Sequence, residues 1–202
     1  GSMIIDDPFA IELDYVQRMM AWLLFVEPDS VPRRRAMQLG LGSAALTKFH
    51  FKKLRMDTTA VEINPQVVAA CRGWFKLPAD GPRLRVLLAD AANEVRQPAH
   101  LGSIDALQVD LYDHEAAAPV LDSPDFYADC RSVLSDDGAM TVNLFGRDAS
   151  FERSARRIAK VFGADHAWSL QPTKEGNTIV LACKGGVLPE RAEFRKRFGK
   201  RS

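Results

Sequence analysis

Apolar and polar positions along this chain recur with two periods, and the switching between them predicts its elements. Within residues 12–25, Val16, Met19, Met20, Leu23 and Leu24 fall at i, i+3, i+4, i+7 and i+8, the stripe of an amphipathic helix laid on a sheet. The Pro-containing stretch from Glu27 to Pro32 ends it. A short apolar run behind Arg33, Arg34 and Arg35, which read as a solvated lead-in, then reads as a strand ending at Leu39, and further strands are predicted over 58–62, 84–90, 104–111 and, after an Asp136-Asp137-Gly138 turn, 139–145. Helical spacing fills the intervals. It covers 44–53, a segment opened by Asn64-Pro65 with Val67, Val68, Cys71 and Phe75 on one face, 91–96, a segment capped by Ser123 and running to 134, and 150–162. Two last strands, 166–171 and 177–183, are joined by Thr173-Lys174-Glu175-Gly176 and should pair antiparallel. Strands alternating with helices and closed by a hairpin predict an α/β fold, a doubly wound, mostly parallel seven-stranded sheet with a C-terminal antiparallel hairpin.

Length and composition narrow this picture. The 202 residues suffice for one domain with a sizeable core and would strain to hold two. We read residues 3–186 as that domain, Gly1-Ser2 ahead of Met3 as a cloning scar, and 187–202 as a basic tail carrying Arg191, Arg195, Lys196, Arg197, Lys200 and Arg201. A formal net charge of +1 argues against a nucleic-acid partner, and the tail reads as a solvated end. Cys71, Cys130 and Cys183 lie far apart with no Cys/His cluster, which predicts no zinc site and no disulfide framework, as in a reducing cytoplasm. No apolar run approaches the ~20 residues that span a bilayer, and no secretory leader is expected.

Candidate chemistry gathers at strand ends. Leu39-Gly40-Leu41-Gly42-Ser43 turns the first strand into a helix, and the second strand ends in Glu62. Glycines at such a turn let a ligand approach the backbone, and an acid at the tip of the next strand can accept hydrogen bonds from a ribose diol. Asp90, Asp110 and Asn143 end the later strands and Asp113 follows just beyond. Doubly wound sheets bind ligands at this rim, so the row of acids predicts a nucleoside site.

Leu39-Gly40-Leu41-Gly42-Ser43, Val61-Glu62-Ile63-Asn64, Leu88-Ala89-Asp90-Ala91, Val109-Asp110-Leu111-Tyr112-Asp113, and Asp125-Phe126-Tyr127 before Asp137-Gly138 occur in the order and spacing of a known group. With them the chain resembles the class I S-adenosylmethionine-dependent methyltransferase fold, a Rossmann-like architecture, and within it the spermidine synthase (polyamine aminopropyltransferase) family, from about residue 7 to 184. The resemblance implies a cytoplasmic homodimer that uses decarboxylated S-adenosylmethionine as co-substrate, a small-molecule amine as acceptor, and no metal. It implies that Gly40, Gly42 and Ser43 flank the donor, that Glu62 holds the ribose hydroxyls, and that Asp90 with Ala91 meets the adenine edge. Asp110 takes the family's catalytic place and Asp113 its amine-binding place, with Glu12, Asp14, Tyr15 and Glu115 as wall residues. Such acids suit the reaction, because an alkyl amine is protonated near neutral pH and must lose a proton before it attacks carbon.

The chain also departs from the pattern. Ser43 stands where the family places an acid that greets the donor's amino group, Ala44 and Ala45 replace glycines, His114 replaces the proline after the second acid, and Ile11 stands where a tyrosine is usual. The family's N-terminal β-hairpin domain is not found before residue 12. These departures leave two alternatives, a small-molecule methyltransferase using ordinary S-adenosylmethionine and a non-catalytic nucleoside-binding homologue. Gln38, where many methyltransferases carry an acid, speaks against the first, and the retained acids speak against the second.

Overall fold

A computed structural model describes residues 1–111, 123–145 and 149–185. Its elements are α1 (Asp14–Arg18), β1 (Arg35–Leu39), α2 (Ala45–Lys48), β2 (Asp57–Glu62), α3 (Pro65–Gly73), β3 (Leu84–Leu88), α4 (Ala91–Glu94), β4 (Ile104–Val109), α5 (Pro124–Val133), β5 (Leu134–Phe145), α6 (Ala149–Phe162), β6 (Ala167–Ser169) and β7 (Asn177–Cys183). The strands form one seven-stranded sheet in the order β3-β2-β1-β4-β5-β7-β6. Pairings from β3 to β5 are parallel, and β7 joins β5 and β6 antiparallel. The predicted doubly wound sheet with its terminal hairpin is therefore the fold observed. Strand order reverses between β1 and β4, which places a crevice at the rim where both strands end.

Central β1 shows why the sheet sits where it does. Ala36, Met37, Gln38 and Leu39 are all buried, as expected of a parallel strand covered on both faces. Met37 and Leu39 join Leu107, Val109, Phe126, Tyr127, Met140 and Ile158 in the larger core, under α5 and α6. Across the sheet, Ala36 meets Trp22, Val26, Met56 and Ala106. Phe126 and Tyr127 are fully buried edge-to-face neighbours, and truncating either to alanine should cost about 3–5 kcal/mol.

Three local expectations are corrected. The amphipathic helix predicted over 12–25 is α-helical only to Arg18 and continues as a 3-10 helix over Met19–Phe25. With three residues per turn, Val16, Met19 and Trp22 share the buried face, while Leu24 stays half-exposed. Strand β5 begins at Leu134, and the Asp136-Asp137-Gly138 turn is absorbed into it as a register shift between Ile104 and Ala106 of β4. Gly138 permits this, since a Cβ there would lie 2.7 Å from the Ile104 carbonyl oxygen. Nor is the arginine triplet wholly solvated. Arg34 bridges Asp105 and Asp137 at 3.3 and 2.8 Å, and its hydrogen bond holds the Asp137 carboxyl below the usual range.

Candidate functional site

The turn after β1 is built around Gly40. Its φ is +83°, and a Cβ there would collide with the carbonyl oxygen of Asp110. Loop and acid are locked together, as Gly40 N–H donates to Val61 O and Asp110 N–H to Leu39 O, each at 2.9 Å. Gly42, at φ +54°, faces open space. Ala44 keeps the left-handed conformation (φ 58°) although it carries a side chain, a strain on the order of 1–2 kcal/mol. Buried Gln38 fastens the loop from beneath, because its amide donates to Gly40 O and Leu41 O at 2.6 and 3.3 Å, and the Thr47 hydroxyl donates to its carbonyl.

Glu62 at the end of β2 accepts Leu41 N–H on one oxygen and Asn64 N–H on the other, both at 2.9 Å. These bonds aim the carboxylate at the rim and leave each oxygen a further lone pair for a hydroxyl. Asp90 caps α4 by accepting Asn93 N–H at 2.9 Å, and Ala91 behind it is buried.

Asp110, just past β4, holds two side-chain bonds. One oxygen accepts the Asn143 amide at 2.9 Å and the other accepts the Tyr15 hydroxyl at 3.4 Å. Asn143 in turn accepts the Asn177 amide at 3.1 Å. Burial pushes the Asp110 carboxyl above its ordinary value, opposed by the bonds from Asn143 and Tyr15 and by the charge of the N-terminal ammonium.

These groups share one cavity of about 700 Å³, which Gly40, Gly42, Ser43, Glu62, Asp90, Ala91, Asp110 and Tyr15 all line. That size takes a nucleoside with a flexible tail. Gly1 also lines the cavity, and Ser43 donates to Ser2 O at 3.2 Å. Glu12 is exposed and does not line it, and Asp14 is paired with Arg18 at 2.8 Å. Asp113 and Glu115 lie outside the described residues, as does the basic tail. Among the described residues no group of three His, Cys, Asp or Glu could hold a metal ion, and no helix is long and apolar enough to cross a membrane.

Sequence reasoning placed Asn143 at this rim but did not anticipate the tether from Asn177. An asparagine opening a strand behind a Gly-containing turn was the available signal, and the β5–β7 register that brings the two together is a tertiary fact.

Comparisons with known proteins bear on the family and the fold. The family model for the spermine/spermidine synthase domain matches residues 42–190. A polyamine aminopropyltransferase of Neisseria meningitidis is 35% identical over 184 residues, covering 90% of this chain and 67% of the relative. One from Chromobacterium violaceum is 32% identical over 208 residues, covering 98% and 77%. Human methyltransferase-like protein 13 in complex with SAH superposes with a TM-score of 0.74 at 21% identity, covering 94% of this chain and 92% of that one. Spermidine synthase in complex with the transition-state analogue AdoDATO superposes with a TM-score of 0.65 at 20% identity, covering 91% and 67%. At these identities the two structures speak for the fold alone.

Proposed function

The chain belongs to the spermine/spermidine synthase family, and on that premise we propose that it transfers an aminopropyl group from decarboxylated S-adenosylmethionine to a polyamine or related amine. The observation that carries the reading is Asp110, a buried carboxylate with a raised pKa in the same cavity as the ribose-acid candidate Glu62. In the order β2-β1-β4, two ordinary strand spacings set the strand ends that carry these acids roughly 10 Å apart. A nucleoside seated on Glu62 thus extends its sulfonium arm toward Asp110.

Chemistry at that point needs little else. The amine nitrogen attacks the methylene carbon next to sulfur, a C–N bond forms, and the C–S bond breaks with its electron pair passing to sulfur. Methylthioadenosine leaves. The proton that the incoming ammonium must shed before this attack passes to Asp110, whose raised pKa makes it a better base than an exposed carboxylate. Tyr15 and Asn143 fix the carboxylate's orientation, which shortens the search for a reactive geometry. The sulfonium is already an activated leaving group, so this route calls on no metal. The same proposal takes Asp113 as partner of a distant ammonium, and includes a cytoplasmic homodimer by analogy with the family; sedimentation of the purified chain tests the latter.

The deciding experiment incubates the protein with decarboxylated S-adenosylmethionine and a series of diamines, and separately with S-adenosylmethionine. Methylthioadenosine is expected in the first mixture. S-adenosylhomocysteine in the second without methylthioadenosine in the first would instead show methyl transfer. Asp110→Asn should abolish turnover and leave nucleoside affinity nearly unchanged, and full activity in that variant would remove Asp110 from the mechanism.

A further inference from the structure

We infer that Asn177, on the terminal hairpin, is a positioning residue for Asp110, acting through Asn143 in a relay that spans three strands. This deepens the reading of Asp110 as the proton acceptor and rests on it.

The direction of the relay is forced. A carboxylate only accepts, so the Asn143 NH2 must face Asp110, as it does at 2.9 Å. That turns the Asn143 carbonyl toward β7, where only a donor can satisfy it, and Asn177 Nδ2 donates at 3.1 Å. Asn143 is 1% exposed, so water does not substitute freely for either partner. Asn177 is held in turn by the hairpin. Its backbone N–H donates to the Thr173 hydroxyl at 3.2 Å, its carbonyl accepts Thr173 N–H at 2.8 Å, and Gly176 makes the turn at φ +95°. The β5–β7 register sets Asn143 opposite Ile179 and Phe145 opposite Asn177, which brings the two amides diagonally together on one side of the sheet. A strand pair distant from the glycine loop thereby fixes one oxygen of the reacting acid, while Tyr15 on α1 fixes the other.

Among the described residues, the remaining groups around Asp110 do not duplicate this role. From α1 it faces the Tyr15 phenol, and by charge the Gly1 ammonium. Glu62 and Asp90 are carboxylates on the same cavity wall and cannot donate while ionised. The relay is therefore the sheet-side donor to Asp110, and loosening it raises the acid's proton affinity.

The test follows the Asp110 carboxyl in full-length protein by carbon-detected NMR of labelled aspartate, its signal assigned by its loss in Asp110→Asn. Asn177→Ala should raise the titration midpoint by about half a pH unit and Asn143→Ala by about one unit. Asn177→Leu keeps the bulk and removes the donor, so it should act like Asn177→Ala even if the alanine variant folds poorly. The double variant Asn143→Ala/Asn177→Ala should match Asn143→Ala alone. In turnover assays Asn177→Leu should lower kcat by about tenfold and shift the acid limb of its pH profile upward, with KM little changed. An unmoved midpoint in both Asn177 variants, or additive shifts in the double variant, overturns the relay. A moved midpoint in a protein that releases no methylthioadenosine sustains the relay and rejects the aminopropyl reading.

Discussion

Glu62 does two jobs with one carboxylate. Its oxygens accept Leu41 N–H and Asn64 N–H, so it shapes the glycine loop before any ligand arrives, and under the proposed function its spare lone pairs meet the ribose. Glu62→Ala should therefore weaken methylthioadenosine binding by about 1.5–3 kcal/mol, the scale of hydrogen bonds to a charged group. Titration calorimetry checks this, and Glu62→Gln separates the two jobs. The neutral amide keeps one acceptor for the backbone and should lose less than the alanine variant. Equal affinity in wild type and Glu62→Ala would mean that the nucleoside sits elsewhere. At this scale the candidate site was legible, because Gly40, Gly42, Glu62, Asp90 and Asp110 declare themselves by type and by place at a strand end, and they line one cavity. Gln38 did not. A glutamine inside an apolar strand carries no sign of its target, and only the fold shows that it clamps the carbonyls of Gly40 and Leu41.

The turn between β1 and α2 separates structural from functional glycine. Gly40 has no room, since its missing Cβ would strike the strand that carries Asp110, whereas Gly42 opens onto the cavity. Both have positive φ, so alanine costs about 1–2 kcal/mol of strain at either. Gly40→Ala adds a backbone collision and should lower Tm the more and cut activity by displacing Asp110. Gly42→Ala should melt closer to wild type yet bind nucleoside distinctly more weakly. Thermal melts with and without methylthioadenosine distinguish the two, and identical ligand-induced shifts would contradict the assignment. Elements were less legible than these residues wherever packing overrode local pattern. The N-terminal stripe fits α spacing equally well, and burial of Trp22 decides for the 3-10 winding. Asp136-Asp137-Gly138 reads as a turn until Arg34 pairs with Asp137 and Gly138 lets the strand close on β4. Asn177 belongs to the same class, its role created by a strand pairing.

For the whole molecule, the acid limit of stability is set away from the cavity. His50, on the helical segment that follows α2, is fully buried and stacks on Trp22 with ring centroids 5.8 Å apart. Its Nδ1 bonds Leu46 O at 2.8 Å, and Nε2 has no hydrogen-bond partner among the described residues. Burial drives its pKa down to about 4 from 6.5, against the small upward pull of the Leu46 carbonyl. The sign follows from proton counting. Below pH 6.5 the unfolded chain takes up a proton that the folded chain refuses until about pH 4. Stability should thus fall as pH drops through that window, by at most about 3–4 kcal/mol, and the His50 contribution should level off below it. Two carboxyls modify this. Asp110, raised by burial, is relieved by protonation at a pH above its ordinary value and so opposes the His50 loss, whereas Asp137 begins to lose the Arg34 pair only below its ordinary value. His50→Phe keeps a ring against Trp22 and removes the titration. Urea unfolding from pH 8 to 4 should show a steeper loss in the wild type than in that variant, with the two curves parallel above pH 7. Parallel curves through the whole range would show that His50 is protonated as readily in the fold as out of it, and would place the acid sensitivity on other groups.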